Sequence, residues 1–378
     1  MAVEVSVVMP CLNEEETIGI CIDKTRQAFE KHNIDGEAVV ADNGSTDNSV
    51  KIAISKGAKV VYQPERGYGS AYQKGIEEAN GKYIIIGDSD DTYDFSELGR
   101  FVELLRRGYE LVMGTRLKGK ILPGAMPWSH RYIGNPILTG ILNLFFHTGV
   151  SDAYCGMRGF TKEAYKRMQI RTTGMEFALE MVIRASKIRL KITEIPITYY
   201  PRKGKSKLRS FSDAWRTIRF MLLYCPFYLF LLPGFSLFSF GMLLLFLLLP
   251  GPFFLFGHGF DVHMMVFGTL CAILGFQIIT LGLYAKTYAV TSGLDESNRT
   301  LETFWRYFNL EKGLLLGFTV FFAGFAMNFY ILSKWIAGGF GELRAVRPIV
   351  FASTLMVIGA QVFFSSFFLS ILGVKKKS

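Results

Sequence analysis

Between Phe220 and Phe260 the chain carries no Asp, Glu, Lys or Arg, and Phe, Leu and Met dominate the remainder. A membrane-crossing helix needs ~20 predominantly apolar residues. Four segments meet that length, at about 227–249, 263–284, 313–332 and 348–372. The residues before Phe220 are unlike this, with charges throughout and short apolar runs. One chain therefore holds a water-facing part and a bilayer-facing part, and an average hydropathy over both describes neither.

Charge orients the spans. The net charge is +10, and much of the excess lies in Arg202, Lys203, Lys205, Lys207 and Arg209, immediately before the first apolar run. Basic residues beside a span mark its cytoplasmic end and attract anionic lipid. The linker 286–312 holds Lys286, Arg299, Arg306 and Lys312, the tail ends in Lys375, Lys376 and Lys377, and the loop 250–261 has neither Lys nor Arg. Counting puts the N-terminal domain, the second linker and the tail in the cytoplasm, with an even number of spans. The loop with Lys334, Arg344 and Arg347 fits less well. Asp261 and Glu342 fall on the far side, where solvated loop positions are expected. No recognition motif accompanies the charge, which argues against nucleic acid. Cys11, Cys21, Cys155, Cys225 and Cys271 show neither zinc nor disulfide spacing and read as reduced packing groups. The chain enters a strand pattern at Val3 without a basic and apolar leader, so the N-terminal domain is expected to stay cytoplasmic.

That domain alternates Val/Ile-rich runs, at 5–10, 38–42, 59–62, 83–87 and 111–114, with helical spacing at 15–31, 46–56, 70–80 and 96–107. Such alternation predicts an α/β fold with a mostly parallel sheet and helices on both faces. Ligands then bind beyond the carboxyl ends of the strands, which selects 10–15, 42–47, 64–70, 88–94 and 115–120. Two further segments, 132–146 and 211–224, pair apolar helical spacing with aromatic or basic residues. The first reads equally as a core helix or an interfacial one. The second runs straight into the first span and is expected to lie in the membrane interface.

The strongest chemical signal is Asp88-Ser89-Asp90-Asp91 after the fourth run. Carboxylates one residue apart at a strand end can turn toward one hard cation such as Mg²⁺ or Mn²⁺, which also binds substrate phosphates. The metal neutralises a diphosphate leaving group. An acidic loop capping the helix near Ser96 is the alternative for this motif alone. Two companions follow other strands: Pro10-Cys11-Leu12-Asn13-Glu14-Glu15 and Asp42-Asn43-Gly44-Ser45-Thr46-Asp47. Their carboxylates and amides can read a base edge or a ribose hydroxyl, or cap helices. Arg66-Gly67-Tyr68-Gly69-Ser70 can bring backbone N–H groups to a phosphate. It follows the third run, which argues against a dinucleotide fingerprint.

Taken in order, these motifs, with Gly114-Thr115-Arg116 and Gly204-Lys205-Ser206-Lys207-Leu208, resemble glycosyltransferase family 2, nearest to its polyprenyl-phosphate glycosyltransferases of the dolichol-phosphate mannose synthase type. The likeness covers roughly 3–219; Asn43 stands where Asp is commoner in that family. The resemblance implies a Rossmann-like GT-A domain over 1–210, an interfacial helix over 211–226 and an all-α bundle of four spans over 227–378. It implies metal-dependent, inverting transfer of a sugar from a UDP- or GDP-linked donor to a dolichyl or undecaprenyl monophosphate. The expected donor contacts are Pro10, Asn13, Glu14, Asp42, Asn43, Gly69, Ser70, Asp88 and Ser89. Asp88 and Asp90 would hold Mg²⁺ or Mn²⁺, and Asp90 and Arg116 would be catalytic. Arg131, Arg202, Lys203, Ser206 and Lys207 would cradle the acceptor phosphate. Asp152, Cys155, Gly156, Arg158 and 172–180 would frame the acceptor mouth, with Glu176 and Glu180 on one helix face. The partners are the nucleotide sugar, the polyprenyl phosphate, the bilayer and, as an open option, a second copy of the chain.

Two rivals stay open. A processive polysaccharide synthase would share the nucleotide site, but its Gln-x-x-Arg-Trp motif is absent. A non-enzymatic scaffold would have no need to keep Asp88 and Asp90. The charge pattern generates a first prediction. A topology reporter fused after Ser378 is expected to be active on the cytoplasmic side, and activity only on the outer side would require an odd number of spans.

Overall fold

The computed structural model describes residues 3–203, 210–225, 227–291 and 309–373. The chain divides into two compact units, Met1–Met221 and Leu222–Ser378.

The first unit is built on β1 (Val5–Cys11), β2 (Gly36–Asp42), β3 (Lys59–Tyr62), β4 (Tyr83–Ile86), β5 (Leu111–Ile121), β6 (Arg158–Thr161) and β7 (Ile192–Tyr199). They form one sheet in the order β3-β2-β1-β4-β6-β5-β7. All pairings are parallel except those of β6, which runs antiparallel to both β4 and β5. The helices are α1 (Ile18–Lys31), α2 (Ser49–Ser55), α3 (Tyr68–Glu78), α4 (Leu98–Arg106), α5 (Asn135–Phe146), α6 (Lys162–Met168), α7 (Phe177–Lys187) and α8 (Ser210–Tyr224). Helices cover the sheet, so β1 and β4 are buried along most of their length. This is why they read as continuous apolar runs and not as alternation. Ile18, Cys21, Ile22, Thr25 and Ala28 form the buried stripe of α1, and Leu98, Phe101, Val102 and Leu105 that of α4; both follow helical spacing. On α3, Gly75 lies against Val8, where a Cβ would collide with the valine side chain.

Strand order reverses direction between β1 and β4. In a doubly wound sheet the crevice opens at that switch, beyond the carboxyl ends of the strands. The loops 10–15 and 88–94 flank it, and 42–47 follows the neighbouring strand.

The sheet is larger than the sequence suggests. β5 continues to Ile121 because β7 pairs with it as far as Tyr199 across a register shift between Thr115 and Lys120. β6 is as short as β3 and β4 but carries Arg158 and Gly159 in place of an apolar run. β7 carries Pro196, which ordinarily argues against a strand, but β7 is the sheet edge, where proline is tolerated. The expected helix at 132–146 is present as α5 after an irregular turn over 130–134. It buries Thr139, Leu142 and Phe146 while Trp128, Tyr132, Ile133, Ile137 and Leu144 stay exposed, so this segment is apolar on two sides.

The second unit holds four helices long and apolar enough to cross a membrane. They lie at Phe227–Leu248, Val262–Thr291, Leu310–Ala337 and Val346–Gly373. The first contains α9 (Leu232–Leu248); the others are α10, α11 and α12 in turn. Glycines at seven-residue intervals face the neighbouring helix: Gly234 and Gly241 on α9, Gly268, Gly275 and Gly282 on α10, Gly317 and Gly324 on α11. A Cβ on Gly241 would lie 2.5 Å from the Gly268 carbonyl oxygen and collide with the Ala272 backbone, and one on Gly317 would lie 2.5 Å from the Phe363 nitrogen. Lipid gives apolar helices no reason to associate by burial, so close backbone approach supplies the dispersion contact. Between α9 and α10 a small hairpin pairs β8 (Phe253–Leu255) with β9 (His258–Phe260). Asp261 and Glu342 are exposed, as the sequence suggested, and each is also paired. Asp261 accepts from Arg347 at 2.6 Å and Glu342 pairs with Arg344 at 2.8 Å.

Gly241→Val should therefore lower the thermal midpoint of the purified protein, with a loss of about 1–3 kcal/mol typical of overpacking. Gly251→Val, at a position with nothing within 4 Å, should leave the midpoint unchanged. Equal midpoints for both variants would show that the α9–α10 contact is not glycine-limited.

Candidate active site

The turn after β4 carries the charge of the site. Ser89 donates its hydroxyl to the Pro10 carbonyl at 2.6 Å, tying this turn to the end of β1. Asp88 Oδ1 accepts from the Tyr68 hydroxyl at 2.8 Å and from the Tyr72 hydroxyl at 3.2 Å. These tyrosines are four residues apart on α3 and thus share a helix face. Asp88 Oδ2 lies 3.0 Å from the point a Cβ on Gly156 would occupy, so the glycine leaves room beside that oxygen. Burial, and after it the Asp90 charge, push the Asp88 carboxyl up to about 6.

Asp90 Oδ1 accepts from the Thr92 amide and hydroxyl, at 3.1 and 2.6 Å. Its Oδ2 faces Arg202 Nη2 at 3.1 Å, and the same guanidinium nitrogen is 3.6 Å from Glu14 Oε1. Asp91, with a left-handed φ of 59°, is clasped by Lys24 at 2.7 Å and Lys203 at 2.8 Å. Burial alone would raise its carboxyl; the hydrogen bonds from the two lysines outweigh that and hold it below the ordinary carboxylate value. The strand end of β7 is fixed here too, since the Tyr200 amide donates to the Thr92 carbonyl at 3.0 Å.

The neighbouring loops are knitted to one another. Asn13, at φ 55°, accepts from the Thr46 amide at 2.8 Å, and its own amide donates to Ser45 Oγ at 3.0 Å. The Glu14 amide donates to Ser49 Oγ at 2.8 Å. Asp42 accepts from the Gly44 and Ser45 amides. Asn43 is buried; its Nδ2 donates to the Gln63 and Glu65 carbonyls at 2.9 and 2.8 Å, and its Oδ1 accepts from Gly67 N at 2.8 Å. An Asp could not make those two donations, which accounts for Asn at this position. Gly69 lies under the 172–173 backbone, with the Thr172 oxygen 2.5 Å from its would-be Cβ. Ser70 donates its amide to the Thr173 carbonyl at 3.0 Å and its hydroxyl to Glu65 O at 3.0 Å.

Arg116 is buried and holds Asp152 through Nε and Nη2 at 2.7 and 2.8 Å, with its guanidinium 5.1 Å from the Tyr199 ring centre. Burial would raise the Asp152 carboxyl; the Arg116 charge and hydrogen bonds hold it below its ordinary value. Arg158 is also buried, and its guanidinium donates to the Cys155, Ala153 and Ala178 carbonyls. Glu180 is internal: it accepts from the Arg171 and Thr172 amides and pairs with Arg184. Glu176 lies 3.6 Å from Arg216 on α8. Arg131 stacks on Tyr132. Ser206 and Lys207 lie outside the described residues.

The structure thus brings together Pro10, Glu14, Asp88, Ser89, Asp90, Arg202 and Lys203. It makes Asn43, Asp42, Gly69 and Ser70 the frame that shapes the adjoining loops. Sequence reasoning missed Tyr68, Tyr72, Lys24 and Thr92. The i, i+4 tyrosines of the glycine segment were a readable signal for the first pair; nothing local marks the others. Among the described residues no group of three or more His, Cys, Asp or Glu converges as a metal cage. Asp88 Oδ2, beside Gly156, and Asp90 Oδ2, which here faces Arg202, are the oxygens that could hold a hard cation whose other ligands come from phosphate and water.

The glycosyl transferase family 2 profile matches residues 6–169 and the glycosyltransferase family 2 C-terminal transmembrane region matches 283–373. The low-salt glycan biosynthesis hexosyltransferase Agl6 of Haloferax volcanii is 42% identical over 378 residues, covering 99% of this chain and 90% of that protein. The dolichyl-phosphate hexose transferase of the same organism is 33% identical over 213 residues, 55% of this chain and 88% of its own. A glucosyl-3-phosphoglycerate synthase from Mycobacterium tuberculosis, solved with Mn²⁺, UDP and glucosyl-3-phosphoglycerate, is 22% identical with a TM-score of 0.48 over 59% of this chain and 80% of its own; so loose a likeness transfers no ligand. The catalytic unit and the helices that follow it belong to one enzyme: the chain is a member of glycosyltransferase family 2 with that family's C-terminal transmembrane region.

Proposed function

We propose that this glycosyltransferase moves a hexose from a nucleotide-diphosphate donor, UDP- or GDP-linked, to a polyprenyl monophosphate at the cytoplasmic membrane face. One juxtaposition carries this: the carboxylates of the 88–91 turn meet the cations Arg202 and Lys203. A site of that kind holds two anionic substrates side by side. The relative named a dolichyl-phosphate hexose transferase supports the acceptor class. The apolar exposed residues of 128–144, and Trp215 on α8, suit contact with the membrane interface.

The chemistry needs little from the protein beyond positioning. A phosphate monoester has a second pKa of about 6, so the acceptor oxygen arrives anionic and no strong general base is required. That oxygen attacks the anomeric carbon from the face opposite the leaving group. The new C1–O bond forms as the bond to the nucleotide β-phosphate breaks, and the configuration inverts. Asp88 and Asp90 would hold a bound Mg²⁺ or Mn²⁺, which neutralises the departing diphosphate. Tyr68 and Tyr72 fix one Asp88 oxygen and leave the other, beside Gly156, for the cation. Ser89 keeps the turn registered on β1. Arg202, Lys203 and Lys207 offer charge to the acceptor phosphate, with Arg131 a further contact. Arg116 contributes through Asp152, whose loop also carries Gly156.

The deciding assay is incubation of membranes with a panel of nucleotide sugars and a polyprenyl phosphate, followed by mass analysis of the lipid. One hexose per lipid supports the proposal, a long glycan indicates a processive synthase, and no donor turnover indicates a scaffold. Asp90→Ala should abolish transfer while the protein stays folded by circular dichroism, and chelation should inactivate wild type reversibly; full turnover in saturating chelator would remove the metal. Lys207→Ala should raise the acceptor KM by about one to two powers of ten, the ~1.5–3 kcal/mol of a charged hydrogen bond, with donor KM unchanged. A raised donor KM alone would assign Lys207 to the diphosphate.

A further inference from the structure

The hairpin between the first two spans is built against its own backbone preference. Its two turn residues are Phe256 at φ 50° and Gly257 at φ 78°, the mirror-image turn that twists with its strands and favours Asn-Gly or Gly-Gly. A bulky aromatic in the left-handed region is an outlier. Strain of this kind persists where a compensating interaction exists, yet Phe256 is 92% exposed and finds no such contact among the described residues. Its neighbours are also open: Phe253 is 41% exposed, Phe254 70% and Leu255 45%. Successive strand residues point to opposite faces, so this hairpin is apolar on both sides. It has no Lys, Arg, Asp or Glu between Phe253 and Phe260.

Connectivity says what surrounds it. The hairpin begins five residues after Leu248 ends one span and finishes two residues before Val262 starts the next. It therefore sits at the boundary of the bilayer. The same end of the unit carries the Asp261–Arg347 ion pair, and Trp335, whose indole donates to the Gly341 carbonyl at 2.6 Å; tryptophan and charge at a helix end mark the headgroup level. Depth has a lower limit too. A two-stranded ribbon has open edges, and unpaired backbone N–H and C=O groups are not tolerated in the hydrocarbon core.

We infer that the 253–260 hairpin is a lipid-contact wedge, seated at the headgroup–acyl boundary of the leaflet at the α9–α10 turn, with the Phe256 ring as its tip. Lipid packing on Phe256 is the compensating interaction that the described residues do not supply. Both faces are apolar because lipid, not one protein surface, surrounds them.

The test uses the full-length protein in phosphatidylcholine–phosphatidylglycerol vesicles, with an environment-sensitive fluorophore attached at Phe256→Cys and, separately, at Phe254→Cys. The reference is Gln27→Cys on the exposed face of α1 in the first unit, with labelled wild type subtracted. Labels at 254 and 256 are expected to emit to the blue of the label at 27. They should be quenched at least twofold more by a quencher at lipid carbon 5 than by one at carbon 12. Water-like emission insensitive to either quencher overturns the inference. So does blue-shifted emission that no lipid quencher reaches but that dilution of protein in lipid abolishes, which would place a second copy on the hairpin. Stronger quenching from carbon 12 overturns the boundary placement.

Discussion

Asp88, Asp90 and Asp91 place three carboxylates within four residues at a strand end, and the catalytic unit is arranged around neutralising them. Two like charges 4 Å apart repel by about 4 kcal/mol at an effective dielectric constant near 20, so such a turn needs counter-charge before it can be ordered. Each carboxylate has a different solution. Asp88 takes two tyrosine hydroxyls from α3. Asp90 takes Thr92 and Arg202. Asp91 takes Lys24 from α1 and Lys203 from beyond β7. These partners are 67 and 112 residues away from Asp91 along the chain, so forming the acidic turn and closing the far end of the sheet are linked events. The same linkage delivers Lys203 to the acidic turn, where the proposed function seats the substrate phosphates.

Local pattern carried the sequence reading as far as the strand ends, and no further. Val5–Cys11 and Tyr83–Ile86 are buried on both faces and announce themselves as continuous apolar runs. The motifs that follow them were therefore placed at strand ends, and the strand order puts two of those ends at the switch point. β6 and β7 were invisible because one carries Arg158 and Gly159 in place of an apolar run and the other contains Pro196, tolerable only at an edge that topology defines. The chemistry of individual side chains was less legible still. Asn43, expected as a donor contact, also gives its amide to three backbone groups of 63–67. Arg116, expected as catalytic, is held by Asp152, thirty-six residues on. Neither pairing has any signature in spacing, since both join residues of separate elements through space.

Both buried arginines show why positive charge in this unit cannot be counted as ligand-binding by default. Removing a partner from a buried pair costs far more than the pair contributes, because the remaining charge is stranded. Arg116 and Asp152 are committed to each other on those grounds, and Arg158 is satisfied by carbonyls alone. Around the 88–91 turn the cations with appreciable exposure are Lys24, Arg202 and Lys203, at 28%, 28% and 54%. Asp91 holds two lysines, so Lys203 can turn to a phosphate while Lys24 stays on the carboxylate.

In the second unit the same accounting runs in a different solvent. Hydropathy finds the four spans because lipid tolerates little but apolar helices, but hydropathy says nothing about which helix lies beside which. Within the pairs α9–α10 and α11–α12 that choice is made by glycines spaced seven apart, where backbones meet without Cβ atoms between them. Between the pairs it is made by polar groups: Thr269 on α10 shares a hydrogen bond with Thr354 on α12 at 3.0 Å, and Asp261 pairs with Arg347 at the helix ends. A hydroxyl facing lipid can fall back on its own helix, as Thr319 does on the Leu315 carbonyl, but only one facing a neighbour ties two helices together, so these contacts restrict helix rotation more sharply than a leucine does. The few polar residues of the spans, and the absent side chains of the glycines, therefore specify an arrangement that the abundant phenylalanines and leucines only permit.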